Sequence, residues 1–439
     1  MTAAPDRMRA LIERHWRTNR VPVGDDTTAL IHDLAAQTGG EILTVPSGAE
    51  CLTWIIPPKW TVREAWLASL DGTRIADFAQ HPLYLKSYSA PFEGVVSRDE
   101  LLAHVRSDPA RPDRLLYDYR AQYEFGPRTA WGFTLPHRVV ESLTDAQYRV
   151  HIDAEFAEGE MQVLDWTLPG EQPGTIFFAA HSCHPALVND GLACIAAAVE
   201  LFRWLAARPR RHTWRLIIGP EYYAAAAFLA RARGVENLRG GFYLDMLANS
   251  QRLGFSRSWR GDSPVDLATR DALGADALEL GFRALWANDE MFYDGPDFEI
   301  PTVTLGRDKW PHYHTDFDDV EHCDFTQLAD SLDVMKQIVA SLESRDIAPP
   351  PETPAPRCAS GDTIVTRKYR GPLYQARHGL HIDVRENRAG YFAVQDTQRL
   401  MDGHRSCAQI ATQLGIDFDF VKKFADALIE RGLAVERPA

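Results

Sequence analysis

Four segments of this 439-residue chain carry acids and histidines where a metal site could be assembled. The first is His181-Ser182-Cys183-His184, followed by Asn189-Asp190-Gly191-Leu192. It places two histidines and an aspartate within ten residues, ahead of an apolar helix. Neutral imidazole and carboxylate are the ligand types zinc takes, and a loop can converge them on one ion. The second is Glu221 in Gly219-Pro220-Glu221-Tyr222. Its carboxylate could take a proton from a metal-bound water or bind the metal itself. The third is Asp245, in Tyr243-Leu244-Asp245-Met246, where a charge is costly unless paired or metal-bound. The fourth is His314, flanked by Asp316, Asp318 and Asp319, any of which could orient the imidazole from behind. Singly, each has an ordinary reading: a satisfied structural histidine, an N-capping aspartate, a surface glutamate, a solvated acidic loop. Together, at successive strand ends, they point to a metal centre.

The elements that must position these groups are readable from periodicity. From about 166 to 345, strands and helices alternate. Thr175–Ala180, Trp214–Gly219 and Gly241–Met246 read as buried strands, and Gly191–Leu205 and Ala224–Ala230 as helices. Strand then helix, repeated, predicts an α/β layer with a largely parallel sheet, and such sheets bind ligands at the carboxyl ends of their strands. Residues 1–40 read as two helices, through Met8, Leu11, Ile12, Trp16 and through Leu30, Ile31, Leu34, the second stopped by Gly39-Gly40. Short apolar stretches between turns from about 51 to 165 predict an inserted β-rich module, with Trp54, Trp60, Trp66 and Trp131 in its core. Pro349–Pro356 reads as an extended linker. Beyond it, 357–439 reads as a small module whose helices at 406–415 and 418–433 fit a winged helix. The catalytic domain is then expected over 1–50 and 166–348.

Composition sets the class. Apolar residues at 45% and charged residues at 25% are ordinary for a globular protein. A formal charge of -14 disfavours non-specific binding to nucleic acid or anionic membrane. The 418–433 helix balances Lys422, Lys423 and Arg431 against Asp419, Asp426 and Glu430, whereas a DNA-reading helix should be basic. Protein contact, including homo-oligomer formation, is the role expected of this module. Six scattered cysteines without C-x-x-C spacing argue against a disulfide framework. No run approaches the ~18 apolar residues of a membrane span, and the N-terminus lacks a signal-peptide pattern, so a cytoplasmic location without membrane partners is expected.

Asn189-Asp190-Gly191-Leu192, Leu244-Asp245-Met246 and Tyr313-His314-Thr315-Asp316-Phe317-Asp318 together resemble, in order, the metal-binding motifs of the zinc aminopeptidase superfamily that also contains glutaminyl cyclase. Cys183-His184-Pro185, Tyr88–Pro91, Trp131–Phe133 and Ser258–Ser263 are similar to signatures of a bacterial aminopeptidase-like subgroup with an inserted β-rich domain and a C-terminal winged helix. The resemblance implies a zinc-exopeptidase-like mixed sheet flanked by helices, binding one or two zinc ions. Asp190 would bridge, Asp245 and His314 would be ligands, and His184, or alternatively His181, would be the first ligand. The family's paired glutamates meet only Glu221-Tyr222 here. Glu221 is therefore expected as general base, or otherwise as ligand, with Tyr222 in place of the second acid. The implied activity is hydrolysis of an amide next to a free amino end, in a small peptide or aminoacyl-type substrate of a biosynthetic pathway. Tyr313 or Tyr222 would steady the oxyanion, and Asp289 and Glu290 would hold the substrate amine. Zinc-dependent acyl transfer or cyclisation, or an inactive scaffold or regulator, are the alternatives the resemblance leaves open.

Overall fold

The computed structural model describes residues 3–347 and 363–438; the expected linker at 349–356 lies outside them. Two amphipathic helices, α1 (Ala4–His15) and α2 (Asp25–Thr38), bury Met8, Leu11 and Ile12 and then Leu30, Ile31 and Leu34. The second stops at Gly39, whose φ of 73° is the left-handed cap that glycine adopts without penalty. Strand β1 (Glu41–Pro46) follows. The chain then builds an antiparallel sheet from β2 (Lys59–Ser69), β3 (Arg74–Asp77), β4 (Phe92–Ser97) and β5 (Gln147–Ala157), in the order β3-β2-β5-β4. Trp60 and Trp131 lie in the core of this sheet, as expected of aromatics on a half-buried pleated surface.

The main layer comprises β6 (Glu160–Leu168), β7 (Gln172–His181), α3 (Leu192–Ala206), β8 (His212–Gly219), α4 (Tyr223–Arg231) and β9 (Leu238–Asp245). It continues with β10 (Leu253–Ser256), α5 (Pro264–Leu273), β11 (Leu278–Leu280), β12 (Thr302–Arg307) and α6 (Phe325–Glu343). Its eight strands lie in the order β1-β6-β8-β7-β9-β12-β10-β11. The central four, β8-β7-β9-β12, are parallel, and β1, β6 and β10 pair antiparallel. β6 straddles the boundary expected at 165 and lies wholly in this sheet. The fold class is thus the mixed, helix-flanked α/β sheet that the sequence predicts.

The period-2 geometry of a strand sends Ile176, Phe178 and Ala180 to one face and Phe177 and Ala179 to the other. The first face packs on α1, α2, α3, α5 and α6. The second packs on α4, the one-turn helix Glu290–Tyr293, Trp54 and Tyr374. Burial on both faces explains the near-continuous apolar runs in β7, β8 and β9.

The C-terminal module consists of β13 (Thr363–Arg367), α7 (Arg388–Leu400), β14 (Asp402–Ser406), α8 (Cys407–Leu414), α9 (Phe418–Glu430) and β15 (Ala434–Pro438). Its sheet order is β14-β13-β15, antiparallel. It has a core of its own, including Val365, Ile410, Val421 and Leu428, and it docks on the main layer through polar contacts. Arg399 pairs with Asp294 and Arg367 with Asp297, both at 3.0 Å. Thr53 Oγ1 and Trp54 Nε1 donate to the Pro372 carbonyl at 3.0 and 3.1 Å. The five cysteines among the described residues are free. Among those residues, no helix is long and apolar enough to cross a membrane.

Candidate metal centre

Parallel strands β7, β8 and β9 end side by side, and their carboxyl ends carry His181, Glu221 (two residues on) and Asp245. Asp190 arrives on the loop that closes onto α3. That loop is pinned from two sides. Arg20, 1% exposed, donates to the carbonyls of His184 and Leu187 at 2.9 and 2.6 Å. Asp318 accepts the backbone N–H groups of Asn189 and Asp190 at 2.6 and 2.9 Å. The same Asp318 lies four residues beyond His314, so it ties the two histidine-bearing loops together. Asp316 accepts from the Leu115 backbone and Asp319 from His322. The three acids after His314 thus shape loops, and none of these bonds goes to the His314 ring, in contrast to the orienting role read from sequence.

Asp190 is the hub. His181 Nε2 lies 3.1 Å from its Oδ1, and His314 Nε2 and His184 Nε2 lie 2.9 and 3.9 Å from its Oδ2. Asp245 Oδ1 stands 4.0 Å from His181 Nε2. Two triads result, His181–Asp190–Asp245 and His184–Asp190–His314, each with its ligand atoms within 4.8 Å of one another. Asp190 Oδ2, Asp245 Oδ1 and His314 Nε2 are buried without a hydrogen-bond partner among the described residues, so the 2.9 Å approach is proximity without hydrogen-bond alignment. Buried polar atoms are normally satisfied, and converging unsatisfied lone pairs are what a cation would satisfy. The residues present therefore fit a metal, and both histidines of the His181–His184 segment reach Asp190.

The electrostatics agree. Burial holds the His184 imidazole well below its usual value. Burial opposes charge on His181 too, but contacts with Asp190 and Asp245 raise it well above. Its Nδ1 faces the Cys183 carbonyl at 3.3 Å, a contact that places a proton on Nδ1 and aims Nε2 at the two carboxylates. Against the cost of burial, His184, His181 and His314 hold the Asp190 carboxyl well below the carboxylate range. Burial raises Asp245.

Glu221, 8% exposed, faces the cavity above this cluster. Burial pushes its carboxyl up to about 7. Tyr123, from the insert, donates to its Oε2 at 2.6 Å and pulls in the opposite direction. The Tyr313 ring lies at 3.8 Å from the His314 ring and also lines the cavity. Tyr222 lines it as well, while its backbone N–H donates to Asp289 at 2.6 Å. Asp289 and Glu290, read from sequence as holders of a substrate amine, do not line the cavity. Asp289 is consumed by that backbone bond, and Glu290, 0% exposed, pairs with buried Arg283 at 3.2 Å. An acidic pair at the start of a helical turn looks the same in sequence whether it points in or out. Tyr123 and Asn288, which donates to Asp245, escaped the sequence reading because neither belongs to a spaced motif.

The cavity over the cluster measures about 830 Å³, within the range of small-molecule sites. Three parts of the chain wall it: Tyr119–Glu124 of the insert, Leu285–Asn288 and Lys309–His314 of the main layer, and Pro372–Ala376 and Arg385–Gln398 of the C-terminal module. Trp54, expected in the core of the insert, belongs here, stacked on Tyr374 at 4.6 Å.

Sheet order, helices on both faces and a His/Asp cluster at the strand ends define a chain with the zinc-exopeptidase-like fold. A crystal structure of a peptidase from Clostridium acetobutylicum superposes with a TM-score of 0.72 at 22% identity, covering 99% of this chain and 96% of that one. The zinc aminopeptidase BSAP from Bacillus subtilis gives a TM-score of 0.54 at 15% identity, over 76% and 94% of the two chains. In sequence, a Clostridium acetobutylicum polysaccharide biosynthesis protein with aminopeptidase-like domain is 25% identical over 396 residues, 88% of this chain and 86% of the relative. The chain belongs to the family described as a domain of unknown function, DUF4910, which matches residues 9–345.

Proposed function

We propose that this chain is a zinc-dependent hydrolase that cleaves an amide bond in a small peptide or aminoacyl-type substrate. The observation that carries the reading is Asp190, whose two oxygens each face one triad and so suit a carboxylate bridging two ions. His181 and Asp245 would complete one position, and His184 and His314 the other. His184 would then fill the role of the second acid that Tyr222 replaces. The zinc aminopeptidase fold and the relatives named above support the same class.

Zinc bound at these positions would supply Lewis acidity and make a water more acidic. Glu221 receives that water's proton. Tyr123 donates to its Oε2, so Oε1 is the oxygen assigned to the proton. The oxygen adds to the amide carbon, Glu221 returns the proton to the leaving nitrogen, and the C–N bond breaks to give a carboxylic acid, which passes its proton to the released amine as carboxylate and ammonium form. Tyr313, beside His314 in the cavity wall, would donate to the oxygen on which charge develops. Asp289 and Glu290 take no part. The β-sheet insert and the C-terminal module serve as cavity walls.

Elemental analysis of the zinc-loaded chain tests this. Wild type should hold two equivalents, His181→Ala and His184→Ala one each, and Asp190→Ala close to none. No stoichiometric zinc in wild type would overturn the proposal. Equal loss in His181→Ala and His184→Ala down to zero would replace two positions by a single shared one.

A further inference from the structure

The cavity changes character from floor to mouth. Its floor groups His184, Asp190 and Glu221 are buried. Its lining also carries cations from all three parts of the chain, half-buried Arg106 and Arg111 and exposed Arg120 of the insert, exposed Lys309 after β12, and exposed Arg385 and Arg388 of the C-terminal module, and this exposure puts them toward the mouth. Only two acids of the lining, Glu124 and Asp383, lie outside the floor. The chain as a whole carries -14, so this concentration of positive charge runs against its average.

Arg111 pairs with Asp108 at 2.7 Å, and Arg385 pairs with Asp383. Arg106 and Arg120 both lean on Asp118, at 3.4 and 3.0 Å, so two guanidinium groups share one carboxylate. Lys309 and Arg388 have no acid within ion-pair distance among the described residues. Arg388 rests over the Phe392 ring at 5.0 Å, its charge left to the cavity. Like charges held together around a partly enclosed space repel one another and focus a positive potential into it. Arg106 registers that potential. Burial lowers its proton affinity, Asp118 opposes this, and Arg385 and Arg120 lower it further.

Resting on the hydrolase reading above, we propose that the substrate carries a compact anion, a carboxylate or a phosphate, at the end remote from the scissile amide. Arg388, Arg385, Arg106 and Lys309 receive it. Guanidinium groups from two modules can grip such a group with paired N–H donors. Between rim and floor the walls are rings, Trp54, Tyr119, Tyr222 and Trp286 among them, so the middle of the substrate is flat or apolar. The C-terminal module therefore acts as a specificity element, because two of the four receiving cations belong to it.

The test uses the full zinc-loaded chain and a set of aminoacyl amides of equal length. Their leaving amine ends in a carboxylate, a phosphate monoester or a neutral carboxamide. An anionic end should raise kcat/KM by about tenfold over the carboxamide, the factor of one well-placed ionic contact, and added salt should erode the gain. Which anion gains more names the source. In Arg388→Ala/Lys309→Ala, two exposed sites whose loss leaves the core intact, the anionic-to-neutral ratio should fall to near one. Equal turnover of all three ends, or a ratio unchanged in the double variant, overturns the proposal. Calorimetric titration of Glu221→Gln with the carboxylate and carboxamide compounds keeps the two readings apart. Preferential anionic binding that vanishes with Arg388 and Lys309 sustains the rim even where no compound is hydrolysed. Equal binding refutes the rim even where hydrolysis occurs.

Discussion

Glu290→Gln separates a structural role from a substrate-binding one. Arg283 and Glu290 are 2% and 0% exposed, and their side chains meet at 3.2 Å. Glu290 also accepts both contacts from the Asn288 backbone N–H at 3.0 and 2.9 Å, and Asn288 in turn holds Asp245. On the other side Arg283 reaches Gln395 of the C-terminal module. Glutamine keeps the shape and removes the charge, leaving a buried guanidinium with neutral partners. Removing one member of a buried ion pair costs about 3–5 kcal/mol. The amide oxygen still accepts from Arg283 Nε, so the expected loss is about 3 kcal/mol, the lower end of that range. Arg283→Met should cost a similar amount, because it strands the carboxylate instead. The double variant removes both charges at nearly constant volume and should return to within about 1 kcal/mol of wild type. Urea unfolding followed by tryptophan fluorescence measures all four corners of this cycle. A double variant as unstable as the sum of the singles, or singles costing under about 1 kcal/mol, would refute the reasoning. A Glu290→Gln chain with unchanged unfolding and a raised KM would restore the amine-holding role that the sequence suggested.

Other variants probe the centre itself. Tyr123→Phe removes a donor to the ionised Glu221, so the carboxyl should rise above the value of about 7 at which burial and Tyr123 now place it. Since the base must be deprotonated, the acidic limb of the pH–rate profile should move to higher pH, and a limb that stays or moves down would contradict the assignment. Asp318→Asn turns an N–H toward backbone donors among the three it now accepts from, Val188, Asn189 and Asp190 at 3.3, 2.6 and 2.9 Å. It should lose about 2–3 kcal/mol of stability and weaken zinc retention in a chelator competition; unchanged retention would show that the two loops are held by other means. Gly191 has a φ of 104°, and a Cβ there would meet the His181 ring at 2.7 Å and the His181 carbonyl at 2.8 Å. Gly191→Ala should therefore displace His181 and lose zinc from its position first, which zinc analysis beside His181→Ala would reveal; full occupancy would refute it.

The central layer was legible because its signals are local. Buried parallel strands leave unbroken apolar runs such as Thr175–Ala180, and the residue types at their ends betray a metal site before any contact is known. Asp190, Asp245 and His314 are read this way, and the structure brings their side chains together. Sequence alone makes His181 and His184 alternatives, because a motif assigns one ligand to one slot. In space the turn between them brings both rings onto Asp190, at 3.1 and 3.9 Å. What sequence spacing could not disclose is contact across long separations. Tyr123 meets Glu221 from 98 residues away, and Arg385 and Arg388 reach the cavity only through docking of the C-terminal module. Such contacts depend on how whole layers pack, and hydrophobic period carries no information about that.

Backbone conformation gives an independent argument that these residues form a functional centre. Ten non-glycine residues among those described have positive φ, and five of them, His184, Ala186, Tyr222, Met246 and His314, sit in or next to the cluster. Each such conformation costs of order 1–3 kcal/mol unless its surroundings compensate. Here the compensation is visible. Arg20 fixes the carbonyls of His184 and Leu187, Asp289 takes the Tyr222 N–H, and the Tyr117 N–H donates to the His314 carbonyl at 3.0 Å. A loop under no demand but packing would relax into ordinary φ/ψ space, or evolve glycine or asparagine at those positions. Histidine and tyrosine at such positions make sense where the side chain must point at one spot and the backbone must bend to let it. The positive φ values and the buried unpaired oxygens of Asp190 and Asp245 are both what the proposed metal centre requires: local stability given up to hold its ligands in place.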